Sequence, residues 1–408
     1  MQFKQARLPN GLNVIGELNP AAASLAVGFF VRTGSRDETP EVAGVSHFLE
    51  HMMFKGTDRR TAFDINRQFD EMGAQYNAFT AEENTVYYGA VLPEFQDALL
   101  DLLGDMLRPA LRAQDFDTEK NVILEEIALY EDRPQFRLYE KLMAAHFAGH
   151  PLGNSILGTP ASITDLKRDD MCAYFQRRYS PSNVTLVGVG KIDWDALLAK
   201  ATDACGHWSD YLAPRAVTDH APAFTAAVIA DEKLGRQYIA LMGRGPSAQD
   251  EDRYAAALAA TILGDSTGSR LFYALIEPAI ADEAYCACEC LDGTGAMLTF
   301  LATAPDRAAA ALGIVRDELR RFQDDGPTEG EMTAARNKTA SSATLQGELP
   351  MGRLTAVGFD WVYRRQYRPL AEHIDRLMAV TAADVVRVAR ACDLTHATVL
   401  GLGPNKTL

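Results

Sequence analysis

The chain has 408 residues, 47% of them hydrophobic, which is more than one ordinary core holds, so two domains are expected. A formal net charge of −15 argues against a nucleic-acid-binding role, because phosphate backbones demand a basic surface. No apolar run is long enough for a membrane span, and residues 1–11 hold no apolar signal core, so a cytoplasmic location is expected.

Asn10-Gly11 is a hairpin turn signal between strands at 3–8 and 12–18. Residues 24–33 (SLAVGFFVRT) read as a central strand, and 43–54 carry helical periodicity with Gly56 as a stop. An amphipathic helix over 63–72 ends at Gly73. Strands at 75–80 and 85–91 pair, helices follow at 94–106 and 115–131, and Pro134 stops the second. A helix at 167–179 and a buried strand at 183–190 complete this half.

The stretch 208–222 is richer in Pro, Asp and His and reads as a linker. Beyond it the order repeats. A strand at 237–242 is followed by a helix at 252–263 in the place of the earlier 43–54 helix. A strand at 298–304, helices at 308–322, 328–343 and 383–391, and a strand at 397–402 follow. The chain therefore divides into an N-terminal domain (1–207), a linker (208–224) and a homologous C-terminal domain (225–408). The fold class is α+β, two αβ domains with antiparallel-rich sheets flanked by helices.

The cysteines are Cys172, Cys205, Cys286, Cys288, Cys290 and Cys392, with no C-x-x-C pair. Cys286, Cys288 and Cys290 alternate, so in a strand they share one face. They read as small buried residues in a reducing compartment, with a thiolate metal site as the minor reading.

The chemistry concentrates in His47-Phe48-Leu49-Glu50-His51, an H-x-x-E-H stretch. Four residues apart on a helix, His47 and His51 stack on one face and can direct their nitrogens at one Zn²⁺. Glu50 projects at the edge of the same site, where a general base takes a proton from water. This order is the inverzincin signature. The plainer reading is a helix with an internal His–Glu contact. A catalytic zinc needs a third protein ligand, and the 115–131 helix offers Glu119, Glu125, Glu126 and Glu131. Glu119 and Glu126 share a face, but periodicity alone does not choose the face that meets the metal. By default these carboxylates form a solvated face.

Several blocks stand in order: residues 47–57 (HFLEHMMFKGT), 77–80 (NAFT) followed by Glu83 and Tyr87-Tyr88, 122–134 (VILEEIALYEDRP), and 150–159 (HPLGNSILGT). Asp169-Asp170 and residues 179–183 (YSPSN) continue them. Together they resemble the pitrilysin-type zinc peptidases, family M16, in the short two-domain branch that includes the mitochondrial processing peptidase. The likeness is dense in the first half and thinner in the second, where residues 268–272 (GSRLF) carry it.

The resemblance implies one Zn²⁺ held by His47, His51 and Glu126, with Glu50 as the base and Glu119 behind the metal, orienting an imidazole. It implies that Asn77 and Ala78 lie on an edge strand to which a peptide substrate adds by main-chain hydrogen bonds. In active relatives the C-terminal domain also supplies an Arg and a Tyr seven apart. Tyr285 matches the Tyr, but Pro278 stands seven before it, and no arginine lies between Arg270 and Tyr285. Proline cannot donate a hydrogen bond to a carbonyl.

The expected function is therefore a zinc metallo-endopeptidase acting on oligopeptides or short unfolded segments. The chain would form half of a clamshell, closed as a heterodimer with a homologous, zinc-less chain that brings the Arg/Tyr pair. The competing expectation is a non-catalytic, core-protein-like subunit, structural or peptide-binding. The acidic balance suggests cationic peptides, with Glu82 and Glu83 lining the substrate wall.

Overall fold

The computed structural model describes residues 1–218 and 220–408. The first half runs β1 (Gln2–Arg7), β2 (Asn13–Leu18), β3 (Leu25–Val31), α1 (Val45–Met53), α2 (Ala62–Glu71), β4 (Gln75–Thr80), β5 (Thr85–Val91) and α3 (Gln96–Met106). It continues through α4 (Ala113–Glu131), α5 (Pro134–His146), α6 (Pro160–Asp165), α7 (Arg168–Arg178), β6 (Val184–Gly190) and α8 (Trp194–Cys205). The second half runs β7 (Ala226–Ala230), β8 (Gln237–Arg244), α9 (Arg253–Gly264), β9 (Glu283–Leu291), β10 (Thr294–Thr303) and α10 (Ala308–Asp325). It ends with α11 (Glu329–Glu348), α12 (Pro350–Arg364), α13 (Leu370–Ala379), α14 (Ala382–Cys392) and β11 (Thr398–Gly403).

The chain forms two compact units, each an α+β body with one sheet. Unit 1 holds Met1–Ala128, Asn154–Ala216 and Leu345–Pro369; unit 2 holds Leu129–Gly153, Val217–Thr344 and Leu370–Leu408. The sheet of unit 1 is six-stranded in the order β1-β2-β6-β3-β5-β4, and that of unit 2 is five-stranded, β7-β11-β8-β10-β9. The two orders superpose once β1 is set aside. β2 pairs parallel with β6 as β7 does with β11, and every following pair is antiparallel in both sheets. The repeated order of strands and helices in the sequence is thus a repeated topology. α1 follows β3 in unit 1, and α9 follows β8 in unit 2.

The linker stretch falls between α8 and β7, but the units are not simply the chain on either side of it. Helix α5, from the first half, packs on β8 and β11 in unit 2 through Leu138, Leu142 and Met143. Helix α12, from the second half, packs on β3 and β6 in unit 1 through Leu354, Val357 and Val362.

Helices α5, α6, α8, α12 and α13 and strands β7 and β9 go beyond the elements that periodicity reveals. Pro134 was expected as a stop; α4 ends at Glu131, and Pro134 opens α5 as its first residue, where no N–H is needed. Within α12, Gly352 and Gly358 weaken the helical signal. At Gly358 a Cβ would lie 2.2 Å from the Phe30 ring, so glycine is what allows α12 to lie directly on β3. The six cysteines are free thiols; Cys286, Cys288 and Cys290 are half-buried rather than buried, and Cys288 Sγ lies 3.4 Å from Cys290 Sγ. No helix is long and apolar enough to cross a membrane among the described residues.

Candidate metal centre and active site

The site belongs wholly to unit 1. β3 is buried along its whole length, and the chain leaves it to reach α1 through Gly44, whose φ of +92° is a conformation that glycine adopts freely. Glu38 then caps the helix. Its two carboxylate oxygens accept the backbone N–H groups of Gly44 and Ser46, each at 2.7 Å. Below the first turn, Ser46 Oγ is hydrogen-bonded to the Tyr174 hydroxyl (2.8 Å), which also meets Thr33 Oγ1 (2.9 Å). Phe48 on α1 stacks on Phe116 of α4, ring centroids 4.8 Å apart. This stack fixes how the two helices face each other.

On that shared face lie the metal-ligand candidates. The His47 and His51 rings are 4.7 Å apart. Glu126 Oε2 lies 3.7 Å from His47 Nε2 and 3.4 Å from His51 Nε2. Ligand atoms of all three residues fall within 4.8 Å of one another. Bond lengths near 2.0–2.1 Å in a tetrahedral zinc site put neighbouring ligand atoms roughly 3.3 Å apart, close to what is found here. Two imidazoles and a carboxylate are also the donor types zinc takes. The residues therefore fit a zinc ion on geometry and on chemistry. His47 Nδ1 is buried and has no hydrogen-bond partner among the described residues.

Packing shows which face of α4 is turned inward. Glu119, Ile123 and Ile127 form the buried stripe of α4, Glu126 sits beside it, and Glu125 and Glu131 are exposed. Glu119 Oε1 meets His51 Nδ1 at 2.8 Å, and Glu119 Oε2 meets Lys55 Nζ at 2.5 Å. A carboxylate only accepts, so Nδ1 carries a proton, and Nε2 is the nitrogen that faces Glu126. Glu50 lies near enough to His51 and Glu126 to interact with their charges, and its Oε2 accepts a hydrogen bond from Thr80 Oγ1 at 2.6 Å.

The electrostatics follow from burial. Burial, aided by the neighbouring His51, depresses His47 to about 3, keeping its imidazole neutral, the form that binds metal. Burial also pushes His51 down, but the Glu119 hydrogen bond and the Glu126 and Glu50 charges outweigh it, and the net shift is upward. Glu50 is raised by burial, against the opposing hydrogen bond from Thr80. Glu119 is raised by burial but pulled below the ordinary carboxylate range by His51 and Lys55.

Asn77 and Ala78 lie on β4, the last strand of its sheet, whose outer edge pairs with no strand among the described residues. The outward N–H of Ala78 is bonded by the Asn77 side chain (2.9 Å). Tyr76 stacks on Phe69 of α2 at 3.7 Å and lies 6.3 Å from Phe54, an aromatic ledge at the end of α1. Tyr285 belongs to unit 2 and is not part of this cluster. It sits on β9, half-buried, with its ring stacked on Phe300 at 5.0 Å. Before it, Arg270 is held by Glu331 at 2.7 Å and by the Phe322 ring.

The expectation for Glu83 fails. Glu83 is buried, paired with Arg36 at 2.5 Å and accepting from the Tyr363 hydroxyl at 2.9 Å, so it lines no open wall. Thr80 and Lys55 went unnoticed as site residues. The only sequence signals were the last position of N-A-F-T and the four-residue step from His51.

Residues 13–160 match the family model described as insulinase (peptidase family M16), and residues 165–339 match the peptidase M16 inactive domain. An uncharacterized zinc protease of Mycobacterium tuberculosis is 32% identical over 408 residues, covering 98% of this chain and 93% of that protein. The uncharacterized zinc protease YmxG of Bacillus subtilis is 30% identical, covering 95% of each. Among solved structures, a protease from Helicobacter pylori shares the fold with a TM-score of 0.92 at 20% identity, covering 98% of this chain and 99% of that one. A peptidase M16 inactive domain from Pseudomonas fluorescens reaches 0.91 at 19% identity, covering 100% and 99%. With a metal-ligand cluster of the right chemistry in unit 1, the same topology without that motif in unit 2, and relatives along nearly its whole length, the chain belongs to peptidase family M16.

Proposed function

We propose that this chain is a zinc-dependent metallo-endopeptidase subunit that cleaves oligopeptides or short unfolded segments. His47, His51 and Glu126 hold the metal, Glu50 is the general base, and Glu119 orients His51. The observation that carries this reading is the convergence of three ligand atoms within 4.8 Å beside a carboxylate that hydrogen-bonds elsewhere. A non-catalytic subunit has no need of Glu50 in that place.

When bound, zinc supplies a Lewis acid that favours ionisation of water and offsets charge on the scissile oxygen. The chain's own residues do the rest. Glu50 takes the proton from the attacking water and returns it to the leaving amine. Thr80 occupies Glu50 Oε2 and leaves Oε1 to handle the proton. A peptide lying along β4 is oriented by main-chain hydrogen bonds, and the N–H of Ala78 becomes available once the Asn77 side chain turns away. Recognition through the main chain admits many sequences and prefers extended, unfolded substrates.

The active form on this reading is a heterodimer. Tyr285 is half-buried against Phe300, and Pro278 stands where the resemblance implies an arginine. A second, homologous chain without zinc brings the Arg/Tyr pair, and this chain is half of the clamshell. The cytoplasm is the proposed compartment.

Two experiments test these statements. Glu50→Gln is expected to keep one zinc per chain while cleavage of a generic peptide falls by about 10²–10⁴-fold or more. Unchanged turnover removes the mechanism. Co-purification from the native source, followed by assay of the single chain and the pair, is expected to show activity only in the pair. Full activity from the single chain removes the heterodimer.

A further inference from the structure

We propose that Lys55 is a positioning residue of the metal centre, acting through Glu119 on His51; the proposal rests on the zinc reading above. Glu119 lies on the buried stripe of α4, its side chain only 3% exposed. A carboxylate taken that far out of water needs partners for both oxygens and a compensating charge. Both oxygens are engaged, Oε1 by His51 Nδ1 at 2.8 Å and Oε2 by Lys55 Nζ at 2.5 Å. A metal-bound imidazole is neutral and offers only a hydrogen bond. Lys55 is the cationic side chain in direct contact with the carboxylate.

The local backbone supports this grip. His51 and Lys55 are four residues apart, on the last turn of α1 and just past its end, and so reach the same side. The Lys55 N–H is bonded to the Met52 carbonyl at 3.1 Å, which holds the residue against the helix end. The two side chains fix the carboxylate from both sides, and the carboxylate fixes the ring plane and tautomer of His51. Groups that orient a metal-bound histidine commonly contribute about 10–100-fold in metal affinity. A simple surface ion pair contributes little to stability and nothing to metal affinity.

The test measures zinc affinity of the full chain by competition with a chromophoric chelator. Lys55→Met is expected to weaken zinc binding about tenfold, with the metal-free variant melting as the parent does. Lys55→Arg, which keeps charge and reach, is expected to restore most of the affinity. Glu119→Gln is expected to weaken binding too, and adding Lys55→Met to it to cost nothing more, because the lysine acts through the glutamate. Should Lys55→Met fail to fold, Lys55→Gln takes its place. Parental affinity in the lysine variant, or an equal loss in the Glu119→Gln background, overturns the proposal while leaving the zinc reading intact. A parent chain that binds no zinc overturns both.

Discussion

The carboxyl group of Glu50, the proposed base, is under opposing influences. Burial raises its pKa, the Thr80 hydrogen bond and His51 lower it, and Glu126 raises it. A general base works only when ionised, so cleavage is expected to decline as pH falls through this raised value. The sign for Thr80 follows. Thr80→Val removes a bond that favours the charged form, so the acid limb moves to higher pH and the plateau rate falls as Oε2 loses its anchor. A pH–rate profile with an unmoved acid limb would show that Thr80 does not tune the base. His47 differs from His51 for a related reason. The first is buried without a carboxylate on its Nδ1, and the second has Glu119 there, so two imidazoles one turn apart carry opposite shifts.

At the scale of elements, α1 matters most, because it carries both imidazoles and the proposed base in nine residues. A helix that short has little stability of its own and depends on its cap and its packing. Glu38 accepts two buried N–H groups at its start, and Phe48, Leu49, Met52 and Met53 anchor its inner face. Glu38→Ala leaves both N–H groups without their acceptor and is expected to destabilise unit 1 by about 2–3 kcal/mol, with weaker zinc binding as the first turn frays. Urea unfolding monitored with and without zinc checks this; a loss within experimental error would mean the cap is dispensable. Strand β4 is the other element with a specific task. As the edge of its sheet it keeps one row of main-chain groups open, and Asn77 blunts that row at Ala78, a common way of protecting an unpaired edge.

At the scale of the whole molecule, each sheet is completed by a helix from the other half of the sequence. In unit 1, α12 covers Ile15, Ala26, Phe30 and Val187, and Arg353 forms a two-pronged pair with the buried Glu17 at 2.8 and 2.6 Å. A fragment comprising residues 1–224 has the whole catalytic cluster but lacks α12. Its sheet face would be bare, exposing Ile15, Ala26, Phe30 and Val187 to water and leaving Glu17 without Arg353. That fragment is expected to be aggregated or without cooperative unfolding, and joining residues 345–369 to it should restore a sharp thermal transition. A fragment that melts cooperatively by itself would contradict the interleaved arrangement. The two exchanges correspond: α5 meets β8 and β11 as α12 meets β3 and β6, strands that occupy equivalent places in the two sheets.

The sequence by itself determined the local elements and named the candidate site residues. H-x-x-E-H puts His47 and His51 on one helix face because a helix brings residues four apart together whatever surrounds it, and the roles proposed for them and for Glu50 come from the family resemblance. Strands 75–80 and 85–91 and the repeat of topology were legible because alternation and turn residues are local signals. Only the tertiary structure decided which face of α4 meets α1, because that depends on Phe48 stacking on Phe116 and on Glu119 joining a buried stripe, neither of which leaves a mark on periodicity. It also decided that Glu83 is buried against Arg36, that Lys55 and Thr80 hold the site's carboxylates, and that α12 lies on Phe30 through Gly358. These are contacts between residues tens to hundreds of positions apart, and a linear pattern reports only on neighbours.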